Sequence, residues 1–599
     1  MKKVILFLSI LFTVVFVPVS GQAVNLYEQH EVTVPLRFDY YYTYEMINDA
    51  LKKLHAAYPQ LTQLDLVGKS EEGRDIYCMT VNNPKTGNKL DKPGIYVDAN
   101  IHGNEIQGSE VALYLLDYLL DNYGKIKEIT RLVDSKCFYV IPCVNVDGRY
   151  HFMKEGNYSS SARTILAPRD DDNDGLVDED TFDDLDGDGN ICQMRKKDPF
   201  GQFKTDADDP RVLVRIKPGE KGEWAMLGME GIDNDGDGRV NEDEPGYLDG
   251  NRNWGYDWQP PYVQLGAGNY PLSAVGLKSM ADYIGKLPNI CMVWAFHNYG
   301  GMILRGPSTK VQGEYPRSDI EVYDYLGKQA ERITPGYRYI ISWKDLYTTY
   351  GDFSEWMVMT HGAYSFVGEL FATSSETFKT YEESKKAKPE ADFDKEDDYD
   401  AEAMFSMYNE KDREQLKFND HLAQGEMFVN WKPYKHPTYG DIEIGGWIKY
   451  SSRISHPFML KDLVHRNASA IIFSAKHTPE ASMDIFDKQK VGENLYRIRV
   501  RLSNTKAMPS MSYQAQKNKL YPKDILKVSG PGIKVIAGGE LTDIHRDRVL
   551  YKEYKPDVQF LAVPGFGKIE YQFLVSGTGS IQIEYSSRHA GRIVKNIQL

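Results

Sequence analysis

The sequence predicts an α/β fold, a mixed, mostly parallel twisted sheet with helices on both faces, followed by a C-terminal all-β sandwich-like domain. Three observations predict it. Helical and strand-like apolar patterns alternate from about Phe38 to Leu287, as in a sheet covered by helices. Short apolar runs end at His102, His297 and Glu369, and in such sheets sites form beyond the carboxyl ends of strands. After Glu480 the pattern changes to alternating runs such as Leu495–Leu502 and Ser580–Tyr585, separated by Gly and Pro turns.

The elements follow in order. Met1 to Ala23 carries Lys2 and Lys3, an apolar run from Val4 to Val19, then Ser20-Gly21-Gln22-Ala23. That is the pattern of a secretory signal peptide, too short and wrongly flanked for a membrane span, so the chain is expected to be exported, to the periplasm or outside the cell. The next cysteine is Cys78, which excludes a lipid-modified cysteine at the mature end. Roughly 15 residues then precede the first α/β pattern, short for a separate N-terminal domain. The α/β domain is expected over 24–480 and the β-rich domain over 481–599. Within the former, Pro93–Asn100 and Cys137–Val146 are strand-like and Val111–Leu120 is helical. Two stretches interrupt the pattern: 149–248, rich in Asp, Gly and Asn, and 373–400, dense in Lys and Glu.

Composition narrows the function classes. A hydrophobic fraction of 41% with 26% charged residues is that of a globular protein. The formal charge of −15 becomes −17 without Lys2 and Lys3, which argues against nucleic acid or anionic lipid as partner. Beyond the signal segment no apolar run is long enough to cross a bilayer. Five cysteines are too few for a disulfide scaffold; Cys137 and Cys143, on one face of an apolar strand, are expected as buried thiols.

Chemistry concentrates in four segments: His102-Gly103-Asn104-Glu105, Asp249-Gly-Asn-Arg-Asn-Trp254, Ala295-Phe-His297 and Tyr364-Ser-Phe-Val-Gly-Glu-Leu370. A histidine and a carboxylate three residues apart can reach one metal from a single turn. A second histidine completes three protein ligands and leaves a fourth position open, as catalytic zinc requires. One His-x-x-Glu pair is expected by chance among 13 histidines, and His477-Thr-Pro-Glu480 is read as that coincidence. A lone His297 would read as a core residue; the set carries the assignment. Glu369, at the end of an apolar strand, is costly there unless it has a partner or a task, and beside metal-activated water it would be a general base.

These motifs, in this order over roughly Tyr40 to Glu480, resemble the M14 (carboxypeptidase A/B-like) zinc carboxypeptidase family, in a bacterial secreted form. The HGNE form followed by Ile106-Gln-Gly108 is closer to the regulatory branch than to the digestive one. The resemblance implies a zinc carboxypeptidase-like fold and His102, Glu105 and His297 as ligands of one catalytic Zn2+. It implies Asp249 as the carboxylate orienting the first histidine, and Glu369 as base and then acid to the leaving amine. Asn251 and Arg252 would hold the substrate's free carboxylate through paired hydrogen bonds. Tyr347 would close over substrate, with Tyr350 a competing candidate. Arg195 would polarise the scissile carbonyl, although Met194 stands where tryptophan is usual. Ser354 falls at the position that often sets side-chain preference, and supplies neither charge nor apolar wall.

The acidic stretch repeats Asp-x-Asp-x-Asp-Gly. It places Asp170, Asp172, Asp174 and Asp178 in one segment, Asp184, Asp186 and Asp188 in a second, and Asp233, Asp235 and Asp237 in a third. Alternating carboxylates before a glycine can fold around a hard cation, as in the first half of an EF-hand loop. Only the third has a glutamate at the twelfth place, Glu244, with Asn241 at the ninth. Structural Ca2+ is therefore expected against the plainer reading of a solvated acidic loop.

The function expected is zinc-dependent removal of C-terminal residues from peptides or proteins by Glu-assisted attack of metal-activated water. Two alternatives remain: an amidohydrolase acting on peptidoglycan stem peptides of the cell wall, and an inactive, calcium-stabilised binding or adhesion protein. A pure binding protein has no physical need to keep the ligand set with Glu369.

Overall fold

The structure, a computed structural model, describes residues 32–155, 163–170, 174–243, 245–370, 412–451 and 453–599. The signal-like segment 1–23 and the charged stretch 373–400 lie outside the described residues. The main sheet has eight strands: β1 (Thr62–Lys69), β2 (Asp75–Val81), β3 (Gly94–Ala99), β4 (Cys137–Ile141), β9 (Ile290–Asn298), β10 (Met302–Arg305), β11 (Arg338–Ile341) and β12 (Tyr364–Leu370). Their order is β1-β2-β4-β3-β9-β12-β10-β11. The central four, β4-β3-β9-β12, run parallel, and antiparallel pairings flank them.

Every residue of β3 and β9 is buried, which is why both read as unbroken apolar runs rather than alternating ones. Helix Gln107–Asp121 lies so close to this sheet that a side chain at Gly108 would strike Phe296 and Ala99. Helix Phe353–His361 packs the Phe353 ring 5.6 Å from Tyr96. Ala99 and Tyr96 are three apart on one strand and face opposite ways, so the two helices cover opposite faces. The mixed α/β sheet expected from the alternating pattern is the fold observed.

The middle of the acidic stretch forms strands, while its Asp-rich repeats lie in loops on either side. Its strands β5 (Gln193–Lys197), β6 (Phe203–Thr205), β7 (Leu213–Arg215) and β8 (Trp224–Met229) join β13 (Phe428–His436) and β14 (Gly440–Trp447) in the order β13-β14-β5-β8-β6-β7. It also starts later than residue 149. Arg149 belongs to helix Val146–Lys154, is wholly buried, and pairs with Glu110 at 2.8 Å.

From Ala481 to Gln598 a five-stranded and a four-stranded sheet enclose their own apolar core around Val500, Phe573 and Ile583. This unit docks on the catalytic side. The backbone N–H groups of Tyr513 and Gln514 donate to Asp319 at 3.0 and 2.7 Å, and Tyr364, the first residue of β12, also donates to Asp319. The strand that carries Glu369 is thereby tied to the C-terminal unit. All five cysteines, Cys137 and Cys143 included, are buried and unbridged. Among the described residues no helix is long and apolar enough to cross a membrane.

Candidate active site

Sheet register builds the site. In the parallel β3–β9 pair Ala99 faces Phe296, so both chains leave the sheet at the same level. In the parallel β9–β12 pair His297 faces Glu369 directly. Adjacent strands are about 4.8 Å apart, so the His297 and Glu369 side chains rise side by side. After β3, Asn100 adopts a left-handed backbone (φ 60°), and its side-chain amide donates to the carbonyls of His102 and Gly103 at 2.6 and 3.2 Å. Gly103 must lack a side chain, because a Cβ there would sit 2.7 Å from Gly148. That tight turn aims His102 and Glu105 at His297.

The three donor groups converge. The Glu105 carboxylate lies 2.9 Å from His102 Nδ1 and 3.0 Å from His297 Nδ1, and the two ring nitrogens are 3.3 Å apart. All three residues are at most 4% exposed. Two imidazoles and a carboxylate, each offering a ligand atom within 4.8 Å of the others, match the donor chemistry of a catalytic zinc site. The far nitrogen of His102, Nε2, meets Asp249 Oδ1 at 2.9 Å, which fixes the ring's tautomer and leaves Nδ1 free to ligate. Burial alone would raise the Glu105 carboxyl, but His102 and His297 hold it well below the usual carboxylate range. Asp249 is likewise held low against burial by His102 and Arg252.

A cleft of about 280 Å³ opens over this cluster. Glu369, Asn251, Arg252, Tyr347 and Ser354 all line it. Burial pushes the Glu369 carboxyl up to about 7, partly offset by His297. Arg252 is 7% exposed and donates to the Asn251 carbonyl at 2.7 Å. Asn251 Oδ1 accepts from the Phe353 N–H at 2.9 Å, which fixes the Asn251-Arg252 pair against the opposite wall. Tyr347 is 52% exposed at the rim, and Tyr350 is not part of the lining. Ser354 Oγ is engaged with Ser365 Oγ at 2.9 Å.

Arg195 is a correction. It sits on β5 in the second sheet, outside the cleft lining, bonded to Glu443 at 2.6 Å and stacked between Trp224 and Trp431 at 4.0 and 4.1 Å. The strand's pairing with β14 aims it into that sandwich, so it holds the second sheet together and lies away from the cleft. Arg195→Ala is expected to cost about 2–4 kcal/mol of stability, from a buried ion pair and two ring contacts, while leaving kcat unchanged. Denaturant melts and steady-state rates on one preparation check this.

Two cations that sequence reasoning passed over stand in the cleft instead. Arg163 bonds Asp249 Oδ2 at 3.0 Å and lies 3.7 Å from Glu105. Arg453 enters from beyond β14, its carbonyl accepting from Asn298 at 3.1 Å. Both favour the ionised form of Glu369. Neither sits in a recognisable motif; their only sequence signal is charge.

The Asp-rich segments come together unevenly. Asp184, Asp186 and Asp188 form one cluster, and Asp233, Asp235 and Asp237 another. Of the described residues of the first segment, Asp174 groups with Glu179 and Asp235, Asp170 binds the Gly175 N–H, and Asp178 accepts from the Arg169 N–H. Asp172 and Glu244 lie outside the described residues.

The zinc carboxypeptidase family model, M14, matches residues 47–174 and 228–394. A domain family of unknown function matches 481–598. Carboxypeptidase M of Mus musculus is 34% identical over 132 residues, 22% of this chain and 30% of the relative's length. Carboxypeptidase D of Drosophila melanogaster is 34% identical over 126 residues, 21% of this chain and 9% of the relative's length. The chain therefore covers under a third of either relative. The crystal structure of carboxypeptidase A from Helicoverpa armigera superposes with a TM-score of 0.39 at 17% identity, over 58% of this chain and 68% of that one. With the matched segments carrying His102, Glu105, His297 and Glu369, the chain belongs to the M14 zinc carboxypeptidase family.

Proposed function

We propose that this protein is a zinc metallocarboxypeptidase that removes C-terminal residues from peptides or proteins, after export from the cytoplasm. The observation that supports it most is the convergence of His102, Glu105 and His297 in one buried cluster, with Glu369 and Arg252 in the cleft above. Zinc held by those three residues would supply Lewis acidity and an activated water. The remaining work falls to the chain. Glu369 takes the proton of the attacking water and returns it to the leaving amine. Arg252, set by Asn251, takes the terminal carboxylate through paired hydrogen bonds and so orients the last peptide bond toward Glu369 and the His102, Glu105 and His297 cluster. Arg163 and Arg453 are the cations placed to stabilise charge developing on the carbonyl oxygen. Tyr347, exposed at the rim, closes over the bound residue. Calcium enters this reading only as a structural ion of the Asp-rich loops.

The reading is tested by metal exchange. Chelated protein is expected to release no C-terminal residues from a peptide, and one equivalent of zinc to restore release. Full activity after complete metal removal would overturn the proposal. A peptidoglycan stem-peptide substrate uses the same residues and differs only in what fills the cleft.

A further inference from the structure

Two of the Asp-rich segments lie against each other rather than folding separately. The Asp243 N–H donates to the Asp180 carbonyl at 3.2 Å, and the Asn234 amide donates to Asp180 Oδ1 at 2.9 Å. Asp180, Asp235 and Glu242 thereby each bring a carboxylate oxygen within 4.8 Å of the other two. Asp174 and Glu179 gather on Asp235 in the same way, so Asp235 lies between the two segments.

What distinguishes this cluster is missing donors. Asp180 is 1% exposed, yet its Oδ2 has no hydrogen-bond partner among the described residues. Both carboxylate oxygens of Glu242, and Oε2 of Glu179, are likewise buried and unpartnered. Facing buried carboxylates without donors repel each other and have given up their hydration, a cost relieved by a proton shared between Asp180 and Glu242 or, where both are ionised, by a bound cation. The Asp184, Asp186 and Asp188 cluster differs, because Lys432 stands 3.7 and 3.8 Å from Asp186 and Asp188 as a built-in counter-charge. Asp233 is also served, by the N–H groups of Gly236 and Gly238 at 2.6 and 3.0 Å.

We propose that one calcium ion binds between Asp180, Asp235 and Glu242, bridging two loops instead of filling either alone. The donors are all hard oxygens on loops, with no imidazole or thiol, which suits calcium over zinc. The inference rests on the calcium reading of the Asp-rich loops and is independent of the peptidase activity.

The ion has a mechanical consequence. From the cluster, two arms of chain run back to the active site. They pair where the Ile165 N–H donates to the Leu248 carbonyl at 2.7 Å. Just beyond that bridge lie Arg163 on one arm and Asp249 on the other, bonded at 3.0 Å beside His102. Calcium clamps the far ends of the arms whose near ends orient the first zinc ligand.

The test uses zinc-loaded, full-length protein in calcium-free buffer, titrated with Ca2+ while thermal melting and heat of binding are recorded. Ca2+ is expected to bind and raise the melting temperature, and Asp180→Asn with Glu242→Gln to abolish both responses. Asp184→Asn with Asp186→Asn is expected to keep them. If the first double variant does not fold, single Glu242→Gln serves, with Kd expected at least about tenfold weaker. A wild-type protein indifferent to Ca2+ overturns the proposal. So does a response that survives in the Glu242 variant and disappears in the Asp184 and Asp186 variant. Melting needs no substrate, so this outcome is separable from failure of the peptidase reading.

Discussion

Glu369→Gln is expected to lower kcat by about 10²–10⁴-fold while leaving zinc content and folding intact, the span removed with a positioned general base. Glutamine keeps the size of the side chain and loses its proton affinity. The position is set by the sheet, since Glu369 faces His297 across the parallel β9–β12 pair, so the amide will occupy the same place. The check is kcat on a peptide substrate together with metal analysis of the same sample; a fully active, zinc-loaded variant would remove Glu369 from the reaction. A pH effect accompanies it. Burial raises the Glu369 carboxyl to about 7 in the metal-free protein, and a cation beside Glu105 and His297 lowers it. A base works only when deprotonated, so activity falls as pH drops through its pKa. The acid limb of the zinc-loaded enzyme is therefore expected below 7, and a limb centred above 7 would contradict this assignment.

Arg252→Met is expected to cost free-carboxylate substrates about 10²–10³-fold in kcat/KM, in the range for deleting one partner of a desolvated charge pair. Substrates ending in an amide never used that pair and are expected to change little, so the preference for a free terminus collapses. The comparison is kcat/KM on one peptide as acid and as amide, for wild type, Arg252→Met and Arg252→Lys. Lysine keeps charge without the planar fork and should fall between. Arg252 also helps hold Asp249 ionised, so a melt of each variant separates a fold defect from lost recognition. Equal losses on acid and amide in a stably folded Arg252→Met would show that the side chain does not read the terminus.

Much of the centre was legible because it is written at short range or at strand ends. His102 and Glu105 share one turn, and His297 and Glu369 each close an apolar strand, so sheet register alone brings them together. Asp249, Asn251 and Arg252 come as one compact segment. Residues that reach the cleft through long-range pairing were not legible. Arg453 arrives after the chain has built β13 and β14, and Arg163 only where two arms of the acidic stretch meet at Ile165 and Leu248. Arg195 shows the converse. Its motif sits at a plausible place in chain order, but the β5–β14 pairing, invisible locally, turns it into a sandwich of tryptophans. The acidic repeats were legible in part: Asp184, Asp186 and Asp188, and Asp233, Asp235 and Asp237, gather as their spacing suggests, while Asp180 and Glu242, off the repeat, carry buried oxygens without donors.

The measurement closest to the central claim is a time course by mass spectrometry on a mixed peptide pool, half with free C-termini and half amidated, incubated with zinc-loaded protein. Stepwise loss of single residues from free C-termini alone is the predicted result, and it also reveals which residues the cleft prefers. Internal cleavage, or equal trimming of the amidated half, would contradict the account.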